Sequence, residues 1–205
     1  MFLSKSFKVT NVINTALLQW IAAGDDPNSW ALLAGIFFAL WGSVLCAAAV
    51  TWASWHARTD RPYLAAVVAG AALASLLSHG IAAWLNFPRP SVAGLVPSYI
   101  AHGASAALPS THATVMFFVG FAFMLRTALR SIGMVVLVLA ALTGWARIYV
   151  GVHSPIDIVA GIALAGILTG VLALLERRWA PLMARLRAAR RLLLGRPDDA
   201  ARRSP

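Results

Sequence analysis

The strongest constraint in this sequence is a series of long apolar runs. Runs of roughly 18 or more apolar residues are long enough to cross the hydrocarbon core of a bilayer as helices. Hydrophobic residues make up 60% of the chain and charged residues only 12%, a balance that excludes an ordinary soluble domain. We therefore predict an all-α integral membrane protein with about five transmembrane helices, at residues 30–54, 63–87, 111–126, 131–148 and 155–176.

The segments outside the predicted spans differ in character at the two ends of the chain. Residues 8–23 mix Thr, Asn and Gln with apolar residues, which is typical of an amphipathic helix at the membrane interface. After the last span, apolar residues recur at helical spacing between arginines, as in helices that lie on an anionic inner leaflet. The expected organisation is an interfacial amphipathic helix over 1–24, a transmembrane domain over 30–176 and a basic cytoplasmic tail over 177–205, with 196–205 disordered.

The distribution of basic residues predicts how the chain is oriented. Five spans place the termini on opposite sides, and all but four of the 17 Lys and Arg residues lie in 55–62, in 126–130 or after residue 176. Short loops rich in positive charge mark the cytoplasmic side. We therefore expect the C-terminus inside, and loops 88–110 and 149–154 outside. The same distribution accounts for the net charge of +10, so no nucleic-acid partner is expected.

Charged and titratable side chains gather at the predicted outer ends of the helices. Arg89 ends the second span and Arg147 the fourth, His112 begins the third, and His153 and Asp157 flank the start of the fifth. Charged groups at membrane depth are costly and are functional candidates by default. Because the topology brings these helix ends to one surface, we expect the five residues to form a single site.

These side chains suit phosphate chemistry. Asp157 can reach back to His153, fix the tautomer of its ring and stabilise the charged form. His153 can then attack phosphorus and form a phosphohistidine. His112, facing it across the phosphate, is placed to protonate the leaving oxygen and afterwards to activate water.

The remaining candidates would bind the oxygens of the phosphate. Arg89 and Arg147 offer rigid forks of donors, and the free N–H groups at helix N-termini attract anions. Ser110 or Thr111 is the expected N-cap of the third span, and both are candidates for substrate binding. We expect no metal and no cofactor, because Asp157 is the only acid near this face.

Three short motifs carry a resemblance to a known family: Arg89-Pro90, then Pro109-Ser110-Thr111-His112, then Arg147 with His153 and Asp157. Their order and spacing resemble the three signatures of the type 2 phosphatidate phosphatase superfamily, whose fold is shared with vanadium haloperoxidases. The resemblance covers roughly residues 30–176. It implies a membrane lipid phosphatase in which these residues have the roles given above.

The sequence departs from the family pattern at three positions. Ala82 stands where the first signature usually has a lysine, Thr111 replaces a glycine in the second, and Ala146 replaces a serine in the third. The missing lysine would remove one phosphate contact. His79 either substitutes for it in part or is a helix-packing histidine.

The stretch from Pro88 to Phe117 is most similar to the small bacterial undecaprenyl-diphosphate phosphatases. This implies hydrolysis of undecaprenyl diphosphate to undecaprenyl phosphate at the outer face of a bacterial inner membrane, by a multi-pass protein. Phosphatidylglycerol phosphate, phosphatidate and lipid A remain alternative substrates, and phosphoryl transfer to another lipid is an alternative reaction. A small anion transporter is the alternative outside enzymes. His102 either contacts the distal phosphate or is merely solvated, and the oligomeric state is open.

Overall fold

The computed structural model describes residues 2–101 and 106–193, and the side chains of residues 12–101 and 106–178. Within that part every regular secondary-structure element is a helix, as predicted. Its six helices are α1 (Phe2–Ile21), α2 (Ser29–His56), α3 (Arg61–Leu85), α4 (Thr111–Met124), α5 (Arg130–Tyr149) and α6 (Pro155–Leu193), with short 3₁₀ turns at Arg58–Asp60 and Thr127–Leu129. His102 and the disorder predicted for 196–205 lie outside the described residues.

Local sequence signals fix several helix ends. Asn28 is the N-cap of α2, and its side-chain oxygen accepts the N–H groups of Trp30 and Ala31. The helix α3 begins with Arg61-Pro62, where a proline costs no hydrogen bond, and it ends at Asn86 with a left-handed φ of 48°. These signals place α2 and α3 close to the predicted first and second spans.

Four helices in the described part are long and apolar enough to cross a bilayer, namely Ser29–His56, Arg58–Leu85, Thr127–Tyr149 and Pro155–Arg178. The third predicted span, 111–126, forms the shorter α4, which has 14 residues. At 1.5 Å per residue α4 rises about 21 Å, against roughly 30 Å for the hydrocarbon core, so it is too short to cross alone. The predicted multi-pass α-helical membrane fold is confirmed, with α4 as a short helix inside it.

The short helix α4 is packed among its longer neighbours. It runs antiparallel to α3: the Tyr63 hydroxyl donates to the carbonyl of Ala122, and the Ser78 hydroxyl donates to the carbonyl of Pro109 over 3.4 Å. Its Phe118 and Phe123 are fully buried. Since Ser78 lies about two turns before the end of α3, the first residues of α4 are recessed below that end. A site built on the N-terminus of α4 is therefore recessed as well.

The N-terminal helix α1 is longer than the predicted interfacial segment 8–23 and is docked against the other helices. Leu18 is fully buried in a cluster with Ala113, Ile148 and Ile158. Val12, Leu17 and Trp20 are exposed, so the helix still presents an apolar face, and its place at a membrane interface stays a prediction. Residues up to Thr169 form one compact unit and residues from Gly170 onward a second, and every contact described below lies within the first.

Candidate active site

A cavity of about 420 Å³ opens between the ends of α3, α4 and α5 and the loop before α6. It is lined by His79, Ala82, Ala83, Arg89, Ala106, Pro109, Thr111, His112, Arg147 and His153. Both predicted catalytic histidines and both predicted arginines thus face one space, although they are up to 64 positions apart in the chain. The cavity is large enough for a phosphate group together with part of the molecule that carries it.

His153 and Asp157 form a buried pair across the start of α6. The ring Nδ1 of His153 lies 3.3 Å from Oδ2 of Asp157, as the spacing of four residues predicts. The same Oδ2 accepts the backbone N–H of Ser154 over 2.8 Å, so the carboxylate also caps the helix that carries it. Its orientation is therefore fixed by two donors.

A hydrogen bond from Arg89 defines the tautomer of His153. The Nη1 of Arg89 lies 3.3 Å from Nε2 of His153 and donates over 3.0 Å to the carbonyl of Val152. A guanidinium has only donors, so Nε2 must accept and carries a lone pair. The ring proton is then on Nδ1 and points to Asp157. This is the form in which the nitrogen facing the cavity is a nucleophile.

Burial keeps this imidazole neutral. It lowers the pKa of His153 from 6.5 to about 4, and the hydrogen bond to Asp157 opposes that shift while the charges of Arg147 and Arg89 add to it. Burial also lowers the pKa of Arg89, and the charge of Asp157 opposes this. His153 is therefore uncharged at neutral pH, as an attacking nitrogen must be.

Arg147 lies in the last turn of α5, and its backbone carbonyl is hydrogen-bonded to the backbone of His153. Its guanidinium is buried and donates to the carbonyl of Ala39 over 3.3 Å. Its carbonyl accepts the N–H groups of both Val152 and His153 at 3.1 Å. The six-position step from Arg147 to His153 is thus one tight turn, which holds the arginine and the imidazole at the same cavity wall.

The tight turn between Arg147 and His153 depends on Gly151, which was not among the residues predicted to matter for the site. Its φ is +81°, in the region that favours glycine, and a Cβ there would lie 2.0 Å from the carbonyl oxygen of Pro97. The signal in the sequence was a lone glycine in Val-Gly-Val-His, and its partner lies in a distant loop.

We expect Gly151→Ala to lower kcat at least about 10-fold, since ångström-scale displacement of a reacting group costs up to about 100-fold. The added methyl group must push the turn away from Pro97 and carry His153 with it. The measurement is phosphate release alongside the thermal unfolding midpoint in detergent. Gly166→Ala is the matched control, because a Cβ at Gly166 meets nothing within 4 Å. Wild-type activity in Gly151→Ala would contradict this account of the turn.

Ser110, Thr111 and His112 begin α4, and the structure places them differently. Thr111 and His112 line the cavity, and Thr111 Oγ1 lies 3.2 Å from the hydroxyl of Ser78. Ser110 is the N-cap by position, but its side chain makes no capping bond. Its buried hydroxyl has no hydrogen-bond partner within the described residues, and Ser110 does not line the cavity. Its predicted role in substrate binding stays a prediction.

One part of the predicted anion site is wrong. The first N–H groups of α6 are not available to a phosphate, because protein atoms already accept them. The N–H of Ser154 bonds to Asp157 Oδ2, that of Ile156 to the Asn14 side chain, that of Asp157 to the Ser154 carbonyl, and Pro155 has none. Free N–H groups for an anion can therefore come from α4 but not from α6.

Helices α4 and α6 approach closely enough to bring His112 and His153 to one cavity. The N–H of Ser110 donates to the carbonyl of Asp157 over 3.0 Å. Gly161 permits this approach, since a Cβ there would lie 2.9 Å from both the carbonyl oxygen of Ser110 and the Cβ of Ala113. The two predicted catalytic motifs are thus joined by backbone contact, which neither motif reveals alone.

Residues 62–180 match the family model of the PAP2 superfamily, which is more than half of the chain. The chain belongs to this superfamily, and its class is therefore that of a membrane phosphatase. The family resemblance inferred from the three motifs is confirmed.

Curated relatives narrow the comparison. The chain is 31% identical over 158 residues to YbjG of Escherichia coli (strain K12), whose name gives undecaprenyl-diphosphatase as a proposed activity; the match covers 76% of this chain and 78% of YbjG. It is 38% identical over 78 residues to undecaprenyl-diphosphatase BcrC of Bacillus subtilis (strain 168), covering 38% of this chain and 39% of BcrC.

Two solved structures share the fold. The PAP2-type phosphatidylglycerolphosphate phosphatase from Bacillus subtilis aligns with a TM-score of 0.63 at 16% identity, over 83% of this chain and 87% of that one. LpxE from Aquifex aeolicus aligns with a TM-score of 0.63 at 20% identity, over 78% and 93%. At these identities the likeness establishes the fold and not the substrate.

Proposed function

We propose that this protein hydrolyses a lipid diphosphate, undecaprenyl diphosphate to undecaprenyl phosphate, through a phosphohistidine on His153. The observation that carries the proposal is the state of that ring. Its Nδ1 proton points to Asp157, and its Nε2 lone pair faces a cavity that also holds Arg147 and His112. A neutral, oriented imidazole in a recess lined by cations is suited to attack on phosphorus.

The first step transfers the phosphoryl group to the enzyme. A phosphate oxygen replaces Nε2 of His153 as the acceptor for Arg89, which frees the lone pair. Nε2 forms a bond to phosphorus as the bond from phosphorus to the leaving oxygen breaks, and His112 gives that oxygen a proton. Asp157 stabilises the positive charge that develops on the ring.

The second step releases inorganic phosphate. His112, now neutral, takes a proton from water as the water oxygen attacks phosphorus, and the bond from phosphorus to Nε2 breaks. Arg89, Arg147, Thr111 and the first N–H groups of α4 bind the other oxygens. Ala82 stands in place of the usual lysine, and His79 is the titratable side chain that α3 contributes to the cavity lining.

The choice of substrate rests on the relatives and on the wall of the site. YbjG and BcrC both bear the name of an undecaprenyl-diphosphatase. The apolar lengths of α2, α3, α5 and α6 offer generic surface to a lipid tail and do not discriminate among lipids. Phosphatidylglycerol phosphate, phosphatidate and lipid A therefore stay as alternative substrates, and phosphotransfer as an alternative reaction. The family assignment disfavours the anion transporter.

We also propose that the site faces the outside of a bacterial inner membrane. The arginines remote from the site lie at the opposite helix ends, at Arg58, Arg61, Arg126 and Arg130. Positive charge marks the cytoplasmic side, so the ends that carry Arg89, His112 and His153 would face outward and the C-terminus inward.

A panel of lipid phosphates tests the substrate. With purified protein we expect kcat/KM for undecaprenyl diphosphate to exceed that for each alternative lipid by at least about 10-fold, a modest discrimination for an enzyme site. Chelators should leave the rate unchanged, because Arg89 and Arg147 supply the positive charge. His153→Ala serves as the blank. A faster rate on a monophosphate lipid, or phosphate recovered on an acceptor lipid, would replace the proposed substrate or reaction.

A further inference from the structure

The N-terminal helix α1 contacts the three helices that carry His112, Arg147 and Asp157. Leu18 is fully buried against Ala113 of α4, Ile148 of α5 and Ile158 of α6, each of which directly follows a predicted site residue in the chain. The chain after α1 is also tied down, because the N–H of Ala23 donates to the carbonyl of Tyr149 over 2.9 Å. The Tyr99 hydroxyl donates to the carbonyl of Gly24. Residues 14–24 are thus part of the wall behind the site.

Asn14 lies one helical turn before Leu18, on the same face of α1, and reaches α6. Its side-chain Oδ1 accepts the backbone N–H of Ile156 over 3.0 Å, across 142 positions of sequence. That N–H belongs to the first turn of α6, where a helix has no acceptor of its own. Asn14 therefore supplies a cap from a distant segment.

With this bond each N–H group from Ser154 to Asp157 has an acceptor. Pro155 has no N–H, the N–H of Ser154 bonds to Asp157, and the N–H of Asp157 bonds to the Ser154 carbonyl. The N–H of Ile156 bonds to Asn14, and Ile156 is adjacent to Asp157, whose contact with His153 is a long 3.3 Å. Losing the cap removes one of the bonds that hold the first turn of α6 and so loosens the turn that aligns this pair.

We propose that Asn14 is a positioning residue of the active site: it caps α6 through Ile156 and thereby holds Asp157 against Nδ1 of His153. Asn14 is not a catalytic residue, because it contacts neither the cavity nor His153. The kinetic consequence rests on the proposed role of His153, whereas the structural consequence does not. The helix α1 would then have two roles. Its buried face positions the active site, and its exposed face, with Val12, Leu17 and Trp20, is the one predicted to contact the membrane.

The kinetic test compares two replacements of nearly the same size. Asn14→Leu removes the acceptor, and Asn14→Asp keeps it and adds a charge that the helix N-terminus favours. We expect kcat to fall about 10-fold in Asn14→Leu with KM unchanged, because ångström-scale misalignment affects the reaction more than binding. Asn14→Asp should retain most of the wild-type rate. Gln19→Leu, at an exposed position of the same helix, is the control and should behave as wild type.

A second readout needs no activity. Hydrogen–deuterium exchange of the peptide covering 153–158 should speed up in Asn14→Leu and stay slow in Asn14→Asp and Gln19→Leu. The proposal is overturned if Asn14→Leu leaves both kcat and exchange at the wild-type values, or if Asn14→Asp is as impaired as Asn14→Leu. An inactive wild-type protein with the expected exchange pattern would refute the proposed function and leave the capping role intact.

Discussion

Replacing His153 with alanine is expected to lower kcat for phosphate release at least about 100-fold, the scale for losing a positioned catalytic group. The variant keeps both arginines and the cavity but loses the lone pair that Arg89 now holds in place. The loss should fall on kcat more than on KM, since the remaining cations still bind phosphate. The measurement is steady-state phosphate release by purified protein from the best lipid of the panel.

A control on another histidine separates this chemistry from general damage. His56, at the exposed end of α2, hydrogen-bonds to the carbonyl of Trp52 in its own helix and does not line the cavity. His56→Ala should match wild type in both kcat and thermal unfolding midpoint. Near-normal turnover by His153→Ala with an unchanged midpoint would refute the assignment of His153.

The second large effect is expected for His112→Ala, which should lower kcat on a lipid substrate at least about 100-fold through loss of general acid and base catalysis. The loss of the acid can be separated from the loss of the base with an aryl phosphate such as p-nitrophenyl phosphate. Its leaving group departs without a proton, so phosphoryl transfer to His153 needs no acid. The attack by water still needs the base, and the phosphoenzyme should accumulate.

Accumulation of the phosphoenzyme should appear as an initial burst of released product. His112→Ala should release about one nitrophenol per protein rapidly and then turn over slowly. Wild type should show a faster steady state. Loss of the burst together with the steady state would show that attack requires His112 even when the leaving group needs no proton, and the assignment of His112 as acid and base would then fail.

Local patterns in the sequence predicted most of the helices and most of the chemically active side chains that line the cavity. The apolar runs predict helices because helix length and hydrophobicity follow from neighbouring residues. The spacing of four residues from His153 to Asp157 puts both on one face of a helix start, which is why their contact could be predicted. Arg89, His112 and Arg147 were predicted to share the site because the topology brings their helix ends to one surface.

What the sequence did not predict depends on contacts between distant segments. The N–H groups of α6 are occupied because Asn14 lies against Ile156, and no local pattern signals a bond across 142 positions. Gly151 is required by the carbonyl of Pro97, which belongs to a loop. The proposed phosphate chemistry was thus inferred from motifs, whereas the alignment of the proposed reacting groups depends on tertiary packing.

The most direct test of the central claim is to identify which atom receives the phosphoryl group. His112→Ala would be mixed with p-nitrophenyl phosphate, quenched in alkali, which preserves phosphohistidine, and digested for mass spectrometry. The account predicts one phosphorylated peptide, with the phosphate on His153, and none in the double variant with His153→Ala. Phosphate on another residue, or turnover with no phosphopeptide at any time, would contradict it.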